Sequence, residues 1–145
     1  MLCTTKSNRS LGNGFEHRFC EMLADAGYWA HNMAQNSAGQ PADVIAVKNS
    51  FPHLIDCKVC SKDKFPLSRV ESNQKLAMNL WQTCGNGSAW FALELSDGVY
   101  MVSYDTIVQH QVYYPEVTTL NRDQILRLAI PLREWQVFYD KDNRI

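Results

Sequence analysis

Two aspartates and a lysine lie in the most strand-like part of the chain, the segment QPADVIAVKNSFPHLIDCKVC at residues 40–60. Its two aliphatic runs flank a turn, as in a β-hairpin, and Asp43, Asp56 and Lys58 lie inside or beside those runs. Charged groups are costly to bury unless a partner is close to them. Alternate side chains of a strand point to the same face, so Asp56 and Lys58 are expected to project side by side.

Asp43 opens the strand across the predicted hairpin, which allows its carboxylate to lie close to that of Asp56. Two carboxylates that close repel each other unless a cation lies between them. Oxygen ligands without a nearby His or Cys favour Mg²⁺ or Mn²⁺ over zinc. A lysine two residues further on can position or deprotonate a water. The three residues indicate metal-assisted phosphodiester hydrolysis, and they leave open a solvated Asp-x-Lys pair on a strand edge.

The neighbouring segments predict the elements that position these groups. Residues 13–27 are predicted as a helix that begins after an Asn13 N-cap, ends at Gly27 and carries Glu16 at the rim of its apolar stripe. Residues 69–85 are predicted as a second helix, with Leu76, Leu80 and Cys84 along one side. Strands are predicted at 28–35, 42–48, 53–60, 88–96 and 98–104, and short helices at 105–111 and 121–129. This order indicates a mixed α/β sheet flanked by helices, with residues 130–138 packed back on it.

The composition fits one compact domain over residues 1–145, because 46% of the residues are hydrophobic and no Pro-, Gly- or Ser-rich linker divides the chain. Residues 1–11 are predicted to form a flexible arm. No apolar run has the length of a transmembrane helix, and the N-terminus lacks the apolar centre of a signal peptide. We therefore expect a soluble, cytoplasmic protein without a membrane partner. The five cysteines show no disulfide framework.

The formal net charge of −1 is not that of an obviously basic nucleic-acid binder, but the charge is unevenly distributed. Residues 1–75 carry nine Lys and Arg against seven Asp and Glu, whereas residues 76–145 carry five against eight. If three acids of the first half hold metal ions, the remaining surface of that half is positive. This distribution gives weak support for an anionic partner.

The order of residues resembles that of the PD-(D/E)XK nuclease superfamily: Glu16 on the first helix, then Pro41-Ala-Asp43, then Asp56-Cys-Lys58, then a helix carrying Gln74. Within the superfamily, the phrase LIDCKVCSKDKFPLSRVESNQ is similar to RecU-type Holliday-junction resolvases. The segments GSAWFALELSDGVYMVSYDTI and LAIPLREW extend the likeness over about residues 9–138. Asn73 stands where those enzymes usually have His, and the region between the first two strands is too small for their stalk. The resemblance therefore favours a compact phage-encoded or Hjc-like resolvase.

The resemblance implies a restriction-endonuclease-like fold and a role for each matching residue. Glu16, Asp43 and Asp56 would bind Mg²⁺, with Mn²⁺ as a substitute, together with the backbone carbonyl of Cys57. Lys58 would act on the nucleophilic water, and Gln74 would support the site from the helix. Contacts to DNA phosphates are predicted for Lys6, Arg9, Ser37, Lys62, Lys64, Arg69 and Lys75.

The predicted function is a Mg²⁺-dependent Holliday-junction resolvase that acts as a homodimer on four-way DNA, in a bacterial or phage-infected cell. Two alternatives stay open: another PD-(D/E)XK nuclease on duplex or flap DNA, and an inactive DNA-binding module. Trp29, Trp81 and Trp90 lie in predicted regular elements, and we expect them in the core rather than as base-stacking platforms.

Overall fold

A computed structural model describes residues 8–33 and 42–140 of the chain, with side chains over residues 14–33 and 42–137. The helices of this part are α1 (Asn8–Asp25), α2 (Ser72–Thr83), α3 (Tyr104–Tyr113), α4 (Arg122–Leu128) and α5 (Leu132–Asp140). The strands are β1 (Trp29–Asn32), β2 (Val44–Lys48), β3 (Phe51–Val59), β4 (Phe65–Pro66), β5 (Ala89–Leu95), β6 (Gly98–Ser103), β7 (Thr119–Leu120) and β8 (Ile130–Pro131). None of the described helices is long and apolar enough to cross a membrane.

The main sheet is mixed, with six strands in the order β1-β2-β3-β5-β6-β8. The β3–β5 pair is parallel and the other neighbours are antiparallel. The parallel pair requires a crossover connection, and the segment that contains α2 provides it. The predicted mixed sheet flanked by helices is thus confirmed.

The β2–β3 hairpin places the charged residues on the sheet. Its turn residues Asn49 and Ser50 have φ values of 53° and 68°, the left-handed pair that a two-residue type I′ hairpin requires. β3 begins at Phe51, two residues before the predicted start at His53. Alternation then points Asp56 to one face of β3 and its neighbours Ile55 and Cys57 to the other.

The two faces of the sheet bury separate hydrophobic clusters. Helices α1 and α5 cover one face, where Phe15, Phe19, Leu23, Ile55 and Trp135 are fully buried. The opposite face is covered over β5 and β6 by α2 and α3, with a buried cluster that includes Met78, Phe91, Leu93, Val102 and Ile107. Asp56 projects to this second face, which we call the α2 face.

One predicted helix boundary is wrong, and the predicted apolar side of α2 faces solvent. Helix α1 begins at Asn8 rather than after an N-cap at Asn13. On α2, Leu76 and Leu80 are exposed, whereas Gln74 and Met78 are buried. Residues two apart on a helix point about 200° apart, so the burial of Gln74 turns Leu76 to solvent.

One of the three core tryptophans is also predicted wrongly. Trp29 on the edge strand β1 is 64% exposed, because α1 covers only the opposite face of this strand. Trp81 and Trp90 are half-buried against the two clusters, as expected for core residues.

Candidate active site

Asp56 is the centre of a buried polar cluster on the α2 face of β3. Its side chain is 1% exposed and contacts Lys58 from the same strand and Gln74 from α2. Lys58 Nζ is 3.0 Å from Asp56 Oδ2, and Gln74 Nε2 donates a hydrogen bond of 3.0 Å to Asp56 Oδ1. Both carboxylate oxygens therefore have a positive or donating partner.

Gln74 is held by the start of its own helix. Its Oε1 accepts a hydrogen bond of 3.3 Å from the backbone N–H of Glu71, the residue that caps α2. This is half of a capping box, in which the third residue of a helix reaches back to the cap. The Glu71 interaction is not among the predictions from sequence, although a cap residue followed three residues later by Gln is a pattern visible in the sequence. One glutamine amide thus joins the helix start to Asp56.

Asp43 lies immediately before β2, between the residue that follows β1 and the middle of β3. Its Oδ2 accepts a hydrogen bond of 2.8 Å from the backbone N–H of Cys57. Its backbone carbonyl accepts from the N–H of Met33, and its own N–H donates to the carbonyl of Ile55. Backbone and side-chain bonds on two neighbouring elements therefore set the position of this carboxylate beside Asp56.

Glu16 reaches the same cluster from α1 and is 8% exposed. Burial raises the pKa of Glu16 to about 8, and a side-chain hydrogen bond with Asp43 and the charges of Asp43 and Asp56 act in the same direction. Two carboxyl groups share a hydrogen bond only when one of them carries a proton. Burial and the neighbouring carboxylates therefore favour a proton on Glu16 in the metal-free cluster.

The pKa of Asp56 is likewise raised to about 8. Burial is the main cause, the charge of Asp43 adds to it, and the ammonium of Lys58 opposes it. One lysine does not neutralise three buried carboxyl groups, and the remaining negative charge adds to the effect of burial on the pKa values of Glu16 and Asp56.

A divalent cation fits the donor chemistry of this cluster. Within residues 14–33 and 42–137, no three His, Cys, Asp or Glu side chains have the arrangement of a formed metal site. The three carboxyl groups nonetheless converge, and protons and Lys58 partly balance their charge. A hard cation would displace such protons, because metal ligands bind in their deprotonated form. The residues that would hold it are Glu16, Asp43 and Asp56, with the Cys57 carbonyl as a further prediction.

Cys57 and Cys60 do not form a metal pair. The Cys57 side chain packs in the α1 cluster, and Cys60 packs in the cluster on the α2 face. Cys57 contributes its backbone N–H to the site, through the bond to Asp43.

The loop between β3 and β4 carries Lys62 and Lys64 and is called the basic loop. Its conformation is fixed by hydrogen bonds. Lys62 and Asp63 have positive φ values of 56° and 55°, which are uncommon for residues other than glycine. Asp63 accepts hydrogen bonds from the backbone N–H of Ser96 at 2.7 Å and from Arg122 Nη1 at 2.9 Å. Arg122 also donates to Asp97. This network, which the sequence analysis did not predict, fixes the loop beside the β5–β6 turn.

The side chains predicted to contact DNA differ in their exposure to solvent and in their hydrogen bonds within the protein. Lys62 and Lys64 are exposed on the loop, and Lys75 is half-buried on α2. Arg69 Nη1 donates to the carbonyl of Val59 at 2.6 Å, so this guanidinium also fastens the loop to β3. Lys6, Ser37 and the Arg9 side chain lie outside the described residues, and their roles stay predictions.

Comparison with known proteins identifies a structural relative. Neither a protein-family model nor a curated protein matches the sequence. The fold is similar to that of Archaeoglobus fulgidus Hjc, a Holliday junction resolvase from an archaeal hyperthermophile, with a TM-score of 0.66 and 17% sequence identity. The match covers 86% of this chain and 99% of Hjc. The chain therefore has the mixed α/β fold of a Holliday junction resolvase.

Proposed function

We propose that the protein is a Mg²⁺-dependent, structure-selective DNA endonuclease that makes paired nicks in four-way junctions. The observation that carries the proposal is the convergence of Glu16, Asp43 and Asp56 around Lys58 in one buried cluster. The fold shared with a Holliday junction resolvase supports the choice of a branched DNA substrate. The resemblance of the sequence to PD-(D/E)XK nucleases supports the same chemistry.

Each residue of the cluster has a distinct task in this proposal. Asp56 is oriented by Gln74 and holds Lys58, whose ammonium would donate hydrogen bonds to the attacking water or to a phosphate oxygen. Glu16 and Asp43 would hold the cation with Asp56. A bound Mg²⁺ supplies Lewis-acid activation of the water and neutralises charge on the phosphate. Water attacks phosphorus, and the P–O bond to the leaving oxygen breaks.

The substrate requires two matched cuts, which favours a symmetric assembly. A four-way junction has near two-fold symmetry, and a C₂ homodimer offers one site to each of two opposed strands. Light scattering of the protein in solution tests this part, with a mass of twice 16.6 kDa expected. A strict monomer in the presence of junction DNA would contradict paired nicking.

Cleavage of synthetic DNA tests the chemistry and the substrate. Four-way junction, flap and linear duplex are incubated with the wild-type protein, Asp56→Asn or Lys58→Ala, in Mg²⁺ or EDTA. Asp25→Asn is the matched control, because this exposed residue lies at the C-terminal end of α1, away from Glu16 in the middle of the helix. We expect symmetric nicks in the junction that require Mg²⁺, with at least a hundredfold loss in both site variants.

The other outcomes identify the alternatives. If the protein cuts linear duplex or the flap as fast as the junction, the proposed junction specificity is wrong. The protein would then be a nuclease that acts on duplex or flap DNA. DNA binding without cutting in Mg²⁺ or Mn²⁺ would identify an inactive binding module.

A further inference from the structure

An exposed pair of aromatic rings lies on the same face of the sheet as the candidate active site. Trp29 is 64% exposed, and its indole stacks on the His31 imidazole with ring centroids 6.0 Å apart and planes 18° apart. His31 is also exposed. We call these two rings the β1 platform. An exposed tryptophan on an edge strand has no role in either hydrophobic cluster of the fold.

The strand register shows which way the β1 platform faces. Trp29 pairs with Val47 and then Pro52, and His31 pairs with Ile45 and then Leu54. Paired residues of neighbouring strands project to the same side. Leu54 and Asp56 share one face of β3, so the β1 platform and Asp56 lie on the α2 face together.

In the part of the chain that the structure describes, the strands between the platform and the site carry no acidic side chain on this face. Ile45, Val47 and Pro52 are half-buried, and α2 and α3 lie over β5 and β6 at the other side of the sheet. No Asp or Glu occurs in residues 26–33 or in residues 44–55. A DNA strand that crosses β1 and β2 toward Asp56 therefore meets no carboxylate before the cluster itself.

The dimensions suit a nucleic acid strand. A strand spacing of about 4.8 Å and a rise of about 3.4 Å per residue place His31 about 12 Å and Trp29 about 17 Å from Asp56. This span corresponds to about three to five stacked nucleotides. Bases of any sequence stack on exposed aromatic rings, and stacking requires that the base be unpaired or unstacked from its neighbour.

We propose that the β1 platform binds an unpaired nucleobase of the DNA strand whose phosphate lies at Asp56 and Lys58. The inference rests on the proposed DNA substrate and deepens it: the branch point of a junction interrupts base stacking, and the platform selects DNA in which a base near the cut opens there more readily than in a linear duplex. Stacking gives this selection without reading the sequence. A fully paired linear duplex offers no such base.

Binding in EDTA tests the platform without any cleavage. A four-way junction carrying 2-aminopurine beside the branch is titrated with wild type, Trp29→Ala, Trp29→Phe and His31→Ala, and a linear duplex is titrated in parallel. Tyr113→Ala is the matched control, because Tyr113 is another exposed aromatic residue, 75% exposed, at the end of α3. Fluorescence reports stacking of the base, and anisotropy reports affinity.

We expect Trp29→Ala to weaken junction binding about tenfold and to abolish the change in 2-aminopurine fluorescence. Trp29→Phe should retain most of both effects, His31→Ala should show a smaller loss, and linear duplex should bind all variants equally. If the wild-type chain cuts junctions and Trp29→Ala leaves affinity and fluorescence unchanged, the base-binding role of the platform is contradicted and the proposed nuclease activity is retained. If Trp29-dependent stacking occurs without any cutting in Mg²⁺, the base-binding role is supported and the nuclease activity is contradicted.

Two further outcomes overturn the platform. Equal weakening by Tyr113→Ala would show a general effect of removing surface aromatic rings. A change in the mass of the protein in solution on Trp29→Ala, without a change in stacking, would show that the rings contact a second copy of the chain.

Discussion

Gln74 has two bonding partners, and both of them lie at the candidate active site or next to it. Its amide N–H donates to Asp56, and its amide oxygen accepts from the backbone of Glu71. A buried amide with both ends satisfied has one orientation, since a flip would place N–H against N–H and oxygen against oxygen. The glutamine therefore defines the direction in which the Asp56 carboxylate points.

Replacement of Gln74 should affect both stability and cleavage. Gln74→Ala leaves Asp56 Oδ1 and the Glu71 N–H without these partners, so we expect a loss of about 1–3 kcal/mol in the free energy of unfolding. Urea unfolding and junction cleavage measure the two effects. Gln109→Ala, an exposed position on α3, removes a glutamine without such bonds and should change neither.

The raised pKa values of Glu16 and Asp56 predict the pH dependence of stability in EDTA. Below about pH 4, both carboxyls are protonated in the folded and the unfolded chain, and their contribution to stability is fully present. As the pH rises from about 4 to about 8, the unfolded chain releases these protons while the folded chain retains them. Stability should therefore fall with increasing pH, by at most about 1.4 kcal/mol per pH unit for each linked proton.

Urea unfolding between pH 5 and 9 measures that slope. Glu16→Gln should reduce it, because the amide does not titrate, and Asp25→Asn should leave it unchanged. Addition of Mg²⁺ should stabilise the protein more at pH 8 than at pH 6, since the metal and the protons compete for the same oxygens. A slope that is equal in wild type and Glu16→Gln would contradict a proton on Glu16 in the metal-free cluster.

At the scale of elements, the β2–β3 hairpin sets which residues meet. Its two-residue turn fixes the register, and a slip by one residue would move Asp56 and Lys58 to the face covered by α1. Both turn residues have positive φ values, although neither Asn49 nor Ser50 is a glycine, the residue that adopts positive φ without a steric cost.

Ser50→Gly should therefore stabilise the protein. Relief of the left-handed conformation exceeds the added entropy of the unfolded chain, and we expect a gain of about 0.5–1 kcal/mol. Ser50→Val should have the opposite sign, because a β-branched residue is strongly disfavoured at φ 68°. Thermal unfolding in EDTA measures both, and a loss of stability in Ser50→Gly would refute the strain argument.

Which parts of this arrangement follow from sequence is clear from β3 and α2. Alternation within one strand placed Asp56 and Lys58 on one face, because the period of a strand is local and strict. Helical periodicity grouped Leu76, Leu80 and Cys84 along one side of the predicted helix, but it did not show that this side faces solvent. Gln74 is buried because it donates a hydrogen bond to Asp56, which lies 18 residues earlier in the sequence. Helical periodicity alone does not show such a tertiary contact.

Exposure of Trp29 was missed for a related reason. Aromatic residues are typical of strands, and this favours a core position. The exposure of a strand residue depends on whether a helix covers that face, which is decided by the packing of distant elements. At β1, the only described cover is α1, on the other side.

For the whole molecule, a net charge of −1 means that the proposed DNA binding would have to come from local positive surface. The loop after β3 would supply it, since Lys62 and Lys64 project from a segment that Asp63, Ser96 and Arg122 hold in place. Long-range attraction by the whole protein would be weak, and phosphate contacts at the loop would dominate affinity.

The salt dependence of DNA binding tests this distribution. Replacement of both Lys62 and Lys64 by Ala should lower the magnitude of the slope of log K against log salt by about two, and should weaken binding to junction and duplex alike. Arg127→Ala with Arg133→Ala is the charge-matched control, on exposed positions of α4 and α5. An equal change in slope for the control pair would contradict a local DNA-binding loop.

The candidate site draws five residues from four separate segments: Glu16 from α1, Asp43 from the entry to β2, Asp56 and Lys58 from β3, and Gln74 from α2. None of these segments holds the cluster alone, and the glutamine joins it only when α2 has formed on the sheet. A chain emerging from the ribosome therefore has no assembled centre until more than half of its length has been made and folded. In the proposed nuclease, an incomplete, truncated or misfolded copy would therefore lack a formed site and would leave DNA uncut.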